Sequence, residues 1–276
     1  MLIIIIAAFG PLAFGYYQIR DMLPQQKEYD QAVQTMSPED GKALLEQAYA
    51  YNRSLYNVQR GEGEADRALL ARYEDLLCVG DTSIMGRIKI PAISVDLVIY
   101  HGAGQKALQS GVGHWHVSSL PVGGKNTRAV LEGHRGLSSA ELFTRLDEMR
   151  KGDIFFIQVL NKTMAYEVDD IRVILPEQTD QLKIREGRDE VTLVTCTPYN
   201  INTHRLLVTG HRIPYKKGME DNIHRKIPSL RELVFMGVRV LIVVLILFIL
   251  IRSVRDRRKS RKSTARTDRS GSKVRG

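Results

Sequence analysis

The sequence is poor in cysteine and in aromatic residues. Only two of its 276 residues are cysteine, one is tryptophan, and 7% are aromatic. Two cysteines exclude a disulfide scaffold and a zinc module built on several cysteines. A hydrophobic share of 43% is ordinary for a globular protein and excludes a mainly disordered chain. The length allows one domain of roughly 150–200 residues with flanking segments.

The body of the chain also lacks a net charge, although the whole chain carries +9. The stretch Arg252–Gly276 holds 11 of the 40 Lys and Arg but only 2 of the 31 Asp and Glu, so the entire excess lies there. A basic protein is often a nucleic-acid binder. Because the excess here is one terminal tail, we expect no nucleic-acid partner.

Long apolar runs occur only at the two ends. Leu233–Ile251 is apolar apart from Gly237 and Arg239, and its length suits a hydrocarbon core of ~30 Å. The basic tail after it predicts a cytoplasmic C-terminus and membrane lipid as a partner. Met1–Tyr17 has no charged side chain and lacks the basic start of a cleaved signal. We expect an uncleaved anchor there, with the domain between the two anchors outside the cell membrane.

Helical patterning comes first along the chain, and short strands follow. Ser37 and Asp40 form a start resembling a capping box, ahead of apolar residues at helical spacing up to Asn57. From about Met85 the pattern changes to β-rich runs, which favours a closed β-barrel or a sandwich. A short helix is expected over Ser139–Met149. The predicted strands are Arg87–Pro91, Val95–Tyr100, Arg128–His134, Asp153–Leu160, Met164–Ile174, Val191–Cys196 and Arg205–Ile213.

Cys196 ends one predicted strand and Arg205 begins the next. Antiparallel neighbours would bring them together, and a guanidinium lowers the pKa of a thiol and stabilises an oxyanion. A histidine is the usual proton carrier. Among seven histidines, His134 is the best candidate because it ends a strand in a Gly-His-Arg-Gly turn.

A zinc site is the rival use of the histidines. His114 and His116 would lie on one face of a strand, but no third ligand follows at a telling distance. Hydrogen-bonded or surface histidines remain the alternative.

Four segments in one order resemble the sortases, the membrane-anchored cysteine transpeptidases of Gram-positive bacteria. The resemblance covers about residues 85–214 and is strongest to the pilin-polymerising class C. Its most specific element is the Thr-Leu-x-Thr-Cys string with an arginine nine residues after the cysteine. The segments are TLVTCTPYNINTHRLLVTGHR (Thr192–Arg212), VLEGHRGLSSAELFTRLDEMRKGD (Val130–Asp153), MGRIKIPAISVDLVIYHG (Met85–Gly102) and GVGHWHVSSLPVGG (Gly111–Gly124).

The resemblance implies an eight-stranded sortase β-barrel and a role for each site residue. Cys196 would be the nucleophile, His134 the acid and base, and Arg205 the oxyanion or substrate clamp. Leu193 and Thr195 would line the substrate site. The implied reaction cleaves an LPXTG-type sorting signal of a pilin or surface protein between Thr and Gly, and passes the acyl group to a pilin lysine. It implies no metal and no organic cofactor.

Two departures from the family pattern are visible. The segment Tyr56–Asp81 lacks the Asp-Pro-aromatic motif of a class C lid, so we expect that lid to be absent or built differently. Glu132 lies where relatives are expected to carry a small hydroxyl residue. It either acts on His134 or is simply solvated.

Three alternatives to a pilin polymerase stay open. One is a sortase that anchors proteins to a peptidoglycan amine, another is a hydrolytic cysteine peptidase, and the third is a non-catalytic binding module. The predicted organisation is an N-terminal anchor (1–17), a helical and lid-like extension (18–80), a catalytic barrel (81–215), a basic linker (216–232), a transmembrane helix (233–251) and a basic cytoplasmic tail (252–276).

Overall fold

The computed structural model describes residues 25–61, 66–80, 82–135, 142–223, 237–249 and 251–253. The chain divides into two compact units, one of which is Ala13–Lys226. In the other unit, residues 237–249 and 251–253 are helical. Across the described ranges, none of the helices combines the length and the apolar character needed to cross a bilayer. The predicted transmembrane helix over 233–251 therefore finds no support, and the predicted anchor over 1–17 lies outside the described residues.

Eight strands close into a barrel, as the resemblance to sortases implies. The order around the barrel is β1-β2-β3-β4-β7-β8-β6-β5, and only the β2–β3 and β4–β7 pairs are parallel. The strands are β1 (Ile84–Ile90), β2 (Val95–His101), β3 (Val112–His114), β4 (Thr127–Glu132), β5 (Ile154–Val159), β6 (Lys162–Ile174), β7 (Asp189–Thr197) and β8 (His204–Ile213). The helices are α1 (described over 25–35), α2 (Pro38–Arg60), α3 (Arg67–Ala71) and α4 (Gln105–Ser110).

The N-terminal helices contribute side chains to the hydrophobic core. Helix α2 begins at the predicted cap, where the Ser37 hydroxyl accepts from the Asp40 N–H at 3.0 Å. The Tyr29 ring of α1 is 1% exposed, and its hydroxyl accepts from the Leu160 N–H at 3.1 Å. The Asn52 side chain of α2 exchanges two hydrogen bonds with the main chain of Leu120. A fragment that begins after α1 would lose part of the core.

His114 is a buried structural histidine and not a metal ligand. Its Nε2 lies 2.8 Å from the Ser119 carbonyl, so Nε2 donates there and Nδ1 accepts from the Tyr73 hydroxyl at 2.8 Å. Burial lowers the pKa of His114 to about 4. Among the described residues, no group of three or more potential ligands could hold a metal ion. His116, in contrast, is exposed, and its ring centroid lies 6.3 Å from that of Tyr73.

Two predicted features differ from the observed fold. Strand β3 is not among the strands expected from the pattern, because three residues are too short to show a period. The helix expected over Ser139–Met149 is wrong where the chain is described, since residues 142–149 form turns and one 3₁₀ turn at Leu146–Glu148. A hydrogen bond from the Phe143 N–H to the His134 carbonyl directs this segment instead of helical bonding.

A buried carboxylate joins β4, β7 and the loop between β6 and β7. Glu190 lies opposite Arg128 in the β4–β7 register, and their side chains pair at 2.9 Å. Arg185 and Arg188 of the loop also bind its carboxylate. Burial alone would raise the pKa of Glu190, but the hydrogen bond to Arg185 and the charge of Arg128 outweigh it and hold the pKa below its usual range.

Replacing this carboxylate is expected to destabilise the fold in a pH-dependent way. Glu190→Gln leaves the buried Arg128 guanidinium without its counter-charge, which typically costs about 3–5 kcal/mol. A lowered folded pKa gives stability that is present above the unfolded pKa and is lost as pH falls through the folded pKa. The free energy of unfolding of Glu190→Gln should therefore differ most from that of wild type at pH 7, and the difference should become smaller below about pH 4.

Urea denaturation at pH 7 and at pH 3.5 measures this difference. The control is Glu186→Gln, which removes an exposed carboxylate that pairs with Arg60 and should cost less than about 1 kcal/mol. Equal effects of the two variants would contradict the assigned role of Glu190.

Candidate active site

Cys196 and Arg205 face each other directly across two neighbouring strands. They are register partners on β7 and β8, so their Cα atoms lie about 4.5–5.5 Å apart and their side chains share one face. The thiol is free, and Cys196 and Arg205 are both half-buried. The structure thus brings together two of the residues that the sequence singles out.

His134 comes to the same face from the parallel strand on the other side of β7. Glu132 pairs with Val194, and the Gly133 N–H continues the pairing by donating to the Val194 carbonyl at 3.0 Å. Continued by two residues, this register places His134 level with Cys196. The thiol and the guanidinium therefore lie near the ends of β7 and β8, and the imidazole lies just beyond the end of β4.

The site lies on the outer face of the barrel. Strand alternation places Leu193 inside, in the main core, and Val194 outside. Cys196 has the same parity as Val194. An apolar cluster on this outer face runs away from the cysteine and consists of Val130, Ile174, Val194 and Leu207, with Trp115 and Leu182 packed against it.

The loop between β7 and β8 holds the guanidinium beside the thiol. Nη1 of Arg205 donates to the carbonyl oxygens of Asn202 (3.3 Å) and His204 (3.2 Å). Asn200 and Asn202 take the left-handed backbone conformation, with φ of 63° and 61°, which asparagine tolerates better than most residues. The loop can therefore turn sharply enough to present its carbonyls to Arg205.

Leu193 and Thr195, which the sequence predicts to line the site, point the other way. They are 0% and 1% exposed on the interior side of β7. The Thr195 hydroxyl donates to the Gly133 carbonyl at 2.7 Å. Thr195 thus holds the main chain just before His134, and any effect of these two residues on a substrate passes through the strand.

Glu132 is the carboxylate beside the site. It is half-buried on the outer face, in the same row as Val194. Burial raises the pKa of its carboxyl, while the charges of Arg205 and His134 oppose that shift. The carboxylate of Glu132 therefore lies half-buried near Arg205 and His134.

Two residues beside His134, Gly133 and Arg135, make contacts that sequence reasoning missed. A Cβ on Gly133 would lie 2.7 Å from the Phe143 ring, so only glycine lets this buried ring pack against the histidine turn. Arg135 reaches from the same turn to Thr197 at 3.1 Å. The only indication of this contact in the sequence is that Arg135 follows His134 in the Gly-His-Arg-Gly string. Its partner Thr197 meets it only in the tertiary fold.

Comparison with known proteins gives the family. The sortase domain model matches residues 88–213. The chain is 41% identical to the crystal structure of sortase C1 from Streptococcus agalactiae, with a TM-score of 0.64, over 69% of this chain and 98% of that one. It is 38% identical to a sortase C from Clostridium perfringens, with a TM-score of 0.60, over 68% of this chain and 97% of that one. The Clostridium perfringens structure is of the sortase with the C-terminal cell wall sorting motif.

The closed eight-stranded barrel is the sortase fold, and the chain belongs to the sortase family. Its solved structural neighbours are class C sortases. Among curated relatives, sortase A of Bacillus anthracis is 29% identical over 133 residues, which are 48% of this chain and 61% of that protein. The chain spans between about half and two thirds of the length of the first curated relatives that it matches.

Gly133→Ala is expected to displace His134. The new methyl group would overlap the Phe143 ring, and overpacking of this kind costs about 1–3 kcal/mol. Turnover of a sortase peptide should fall more than the folded fraction does, because the turn that carries the imidazole must move. Adding Phe143→Leu should restore part of the turnover, and wild-type turnover of the single variant would contradict the placement.

Glu132→Gln is expected to stabilise the protein at neutral pH. A carboxyl whose folded pKa is raised costs stability when it is ionised, above the folded pKa, and nothing below the unfolded pKa. The variant should therefore melt at a higher temperature than wild type at pH 7.5. Thermal scans from pH 7.5 to pH 4 should show that the advantage disappears toward pH 4. A constant advantage would assign the effect to something other than ionisation.

Proposed function

We propose that this protein is a class C sortase that joins pilins into a polymer. It would cleave an LPXTG-type sorting signal between Thr and Gly and transfer the acyl group to a lysine amine of another pilin. The observation that carries the proposal is the pairing of Cys196 with Arg205 across β7 and β8. His134 follows two residues after β4, the strand that runs parallel to β7 on its other side. The similarity to solved sortase C structures over most of their length supports the choice of class.

In the first half-reaction the Cys196 sulfur attacks the threonine carbonyl carbon. The thiol proton passes to His134, and the negative charge that develops on the carbonyl oxygen is stabilised by the Arg205 guanidinium. The carbon–nitrogen bond then breaks, and His134 gives the proton to the leaving glycine amine. The product is a thioester on Cys196.

In the second half-reaction an amine replaces the leaving glycine. His134 takes a proton from the incoming lysine amine as its nitrogen attacks the thioester carbon. The carbon–sulfur bond breaks, the sulfur recovers a proton, and an isopeptide bond remains. This chemistry requires that the amine reaches the thioester before water does.

The outer apolar cluster suits the other part of the sorting signal. Val194 and Leu207 lie one row along the strands from Cys196 and Arg205. The leucine and proline of an LPXTG-type sequence could bury apolar surface there while the threonine carbonyl reaches the thiol. The Glu132 carboxylate in the same row distinguishes this surface from a purely apolar groove.

The proposal includes a place at the cell membrane. It rests on the sequence alone: the uncharged segment 1–17, the apolar segment 233–251 and the basic tail after it. In this arrangement the barrel faces outward, the tail lies in the cytoplasm near anionic lipid, and both ends of the catalytic unit are held near secreted substrates.

Intact mass spectrometry of the full-length chain in detergent tests the proposed reaction. An LPXTG-type peptide should add its N-terminal part to the protein as a thioester, and a pilin domain with an accessible lysine should then remove it as an isopeptide. Cys196→Ala should form no adduct. Arg205→Lys should form it more slowly, by about 10²- to 10³-fold, as for loss of one oxyanion donor.

Other outcomes separate the alternatives. Release only by water would indicate a hydrolytic peptidase, and release only by a wall-type amine would indicate a wall-anchoring sortase. The absence of any adduct while Cys196 still reacts with a small alkylating agent would contradict the assigned sorting signal.

A further inference from the structure

Arg135 joins the chain after His134 to the chain after Cys196. Its Nη1 donates to the Thr197 hydroxyl oxygen at 3.1 Å, and its Nη2 pairs with the Asp147 carboxylate. The guanidinium also lies over the Tyr199 ring, 5.8 Å from its centroid. The Arg135 side chain is only 8% exposed. One buried side chain therefore connects the histidine turn, the end of β7 and the loop that follows it.

The burial of this guanidinium is costly. A charged group loses its hydration when it is buried, and each unpaired donor adds a penalty. The Nε of Arg135 is buried and has no hydrogen-bond partner in the part of the chain that the structure describes. Such an unsatisfied group in a native fold calls for an explanation beyond stability.

The bonds on the two sides of His134 form a matched pair. Before the histidine, the Gly133 carbonyl accepts from the Thr195 hydroxyl at 2.7 Å. After it, Arg135 donates to the Thr197 hydroxyl at 3.1 Å. Thr195 and Thr197 are the residues that flank Cys196. Each of the two residues beside His134 is thus hydrogen-bonded to one of the two residues beside Cys196. We call these two hydrogen bonds the flanking clamp.

We propose that Arg135 is a positioning residue that, with Thr197, closes the flanking clamp and fixes the separation of the His134 imidazole from the Cys196 thiol. This inference rests on the proposed function. Both half-reactions pass a proton between these groups or through the histidine, and a displacement of about 1 Å can cost on the order of 100-fold in rate. A forked guanidinium can bind Thr197, Asp147 and an aromatic face at once, which a lysine ammonium cannot do with the same geometry.

Arg135→Lys in the full-length protein tests the proposal. It keeps the charge and should lower kcat for transfer of an LPXTG-type peptide by on the order of 100-fold, with KM changed by less than about twofold because the outer apolar cluster is untouched. Thr197→Val should lower kcat in the same sense, and Thr197→Ser, which keeps the hydroxyl, should restore it. The double variant Arg135→Lys with Thr197→Val should be no slower than Arg135→Lys alone, because both substitutions remove the same hydrogen bond.

The pH–rate profile separates positioning from a merely structural role. Attraction between an imidazolium and a thiolate stabilises the pair of groups after the pair has lost one of its two protons. This stabilisation widens the pH range of the bell-shaped kcat/KM profile. Loss of the Arg135–Thr197 hydrogen bond should therefore narrow the pH profile of kcat/KM in Arg135→Lys and Thr197→Val. Glu132 and Arg205 also face these groups, and they are the same in all variants.

Arg145→Lys is the matched control. Arg145 is 6% exposed and pairs with Glu148 of its own turn at 2.8 Å, so its loss should lower the melting temperature without narrowing the bell. The proposal is overturned if Arg135→Lys loses activity only in proportion to its unfolded fraction and keeps the wild-type bell. Wild type that forms no thioester would instead refute the proposed function, so the two failures are distinguishable.

Discussion

The parallel register of β4 and β7 is the constraint on which the candidate site depends. A slip of one residue would turn every β4 side chain to the opposite face, and the histidine after β4 would no longer meet the cysteine near the end of β7. The register is secured at both ends of the pair. The Arg128–Glu190 pair lies near its beginning, and the Gly133 N–H donates to Val194 at its end.

The inward face of β7 contributes to stability, and its outward face carries the candidate nucleophile. Inward residues such as Leu193 fill the barrel, and Thr195 uses its hydroxyl to hold the neighbouring strand's main chain. Outward residues present an apolar surface and then the thiol. Because each inward residue is adjacent in sequence to an outward one, a change meant to test packing also moves the site, and a change in the site also disturbs packing.

Much of this could be predicted from the sequence, and the failures have physical causes. Seven of the eight strands are β-rich runs long enough to be recognised, whereas β3 has only three residues. Cys196, His134 and Arg205 could be selected because their residue types and strand positions suit one chemistry. Arg135 could not, because its partners at Thr197 and Asp147 are 62 and 12 residues away and meet it only in the folded barrel. The helix expected after His134 failed because a tertiary hydrogen bond at Phe143 overrides local helix preference.

Closure of the barrel limits how a peptide can be recognised. All eight strands lie in the described part of the chain, and each has a partner on both sides. Closure therefore leaves little open sheet edge beside which a bound peptide could add a further strand, which is a common way to bind extended segments through main-chain hydrogen bonds. One such stretch in the described part of the chain is Val95–Val98 of β2, which pairs with β1 but not with β3. Around Cys196 a ligand on the outer face meets mainly side chains and loops, which distinguish ligands by their side chains more than by their backbone.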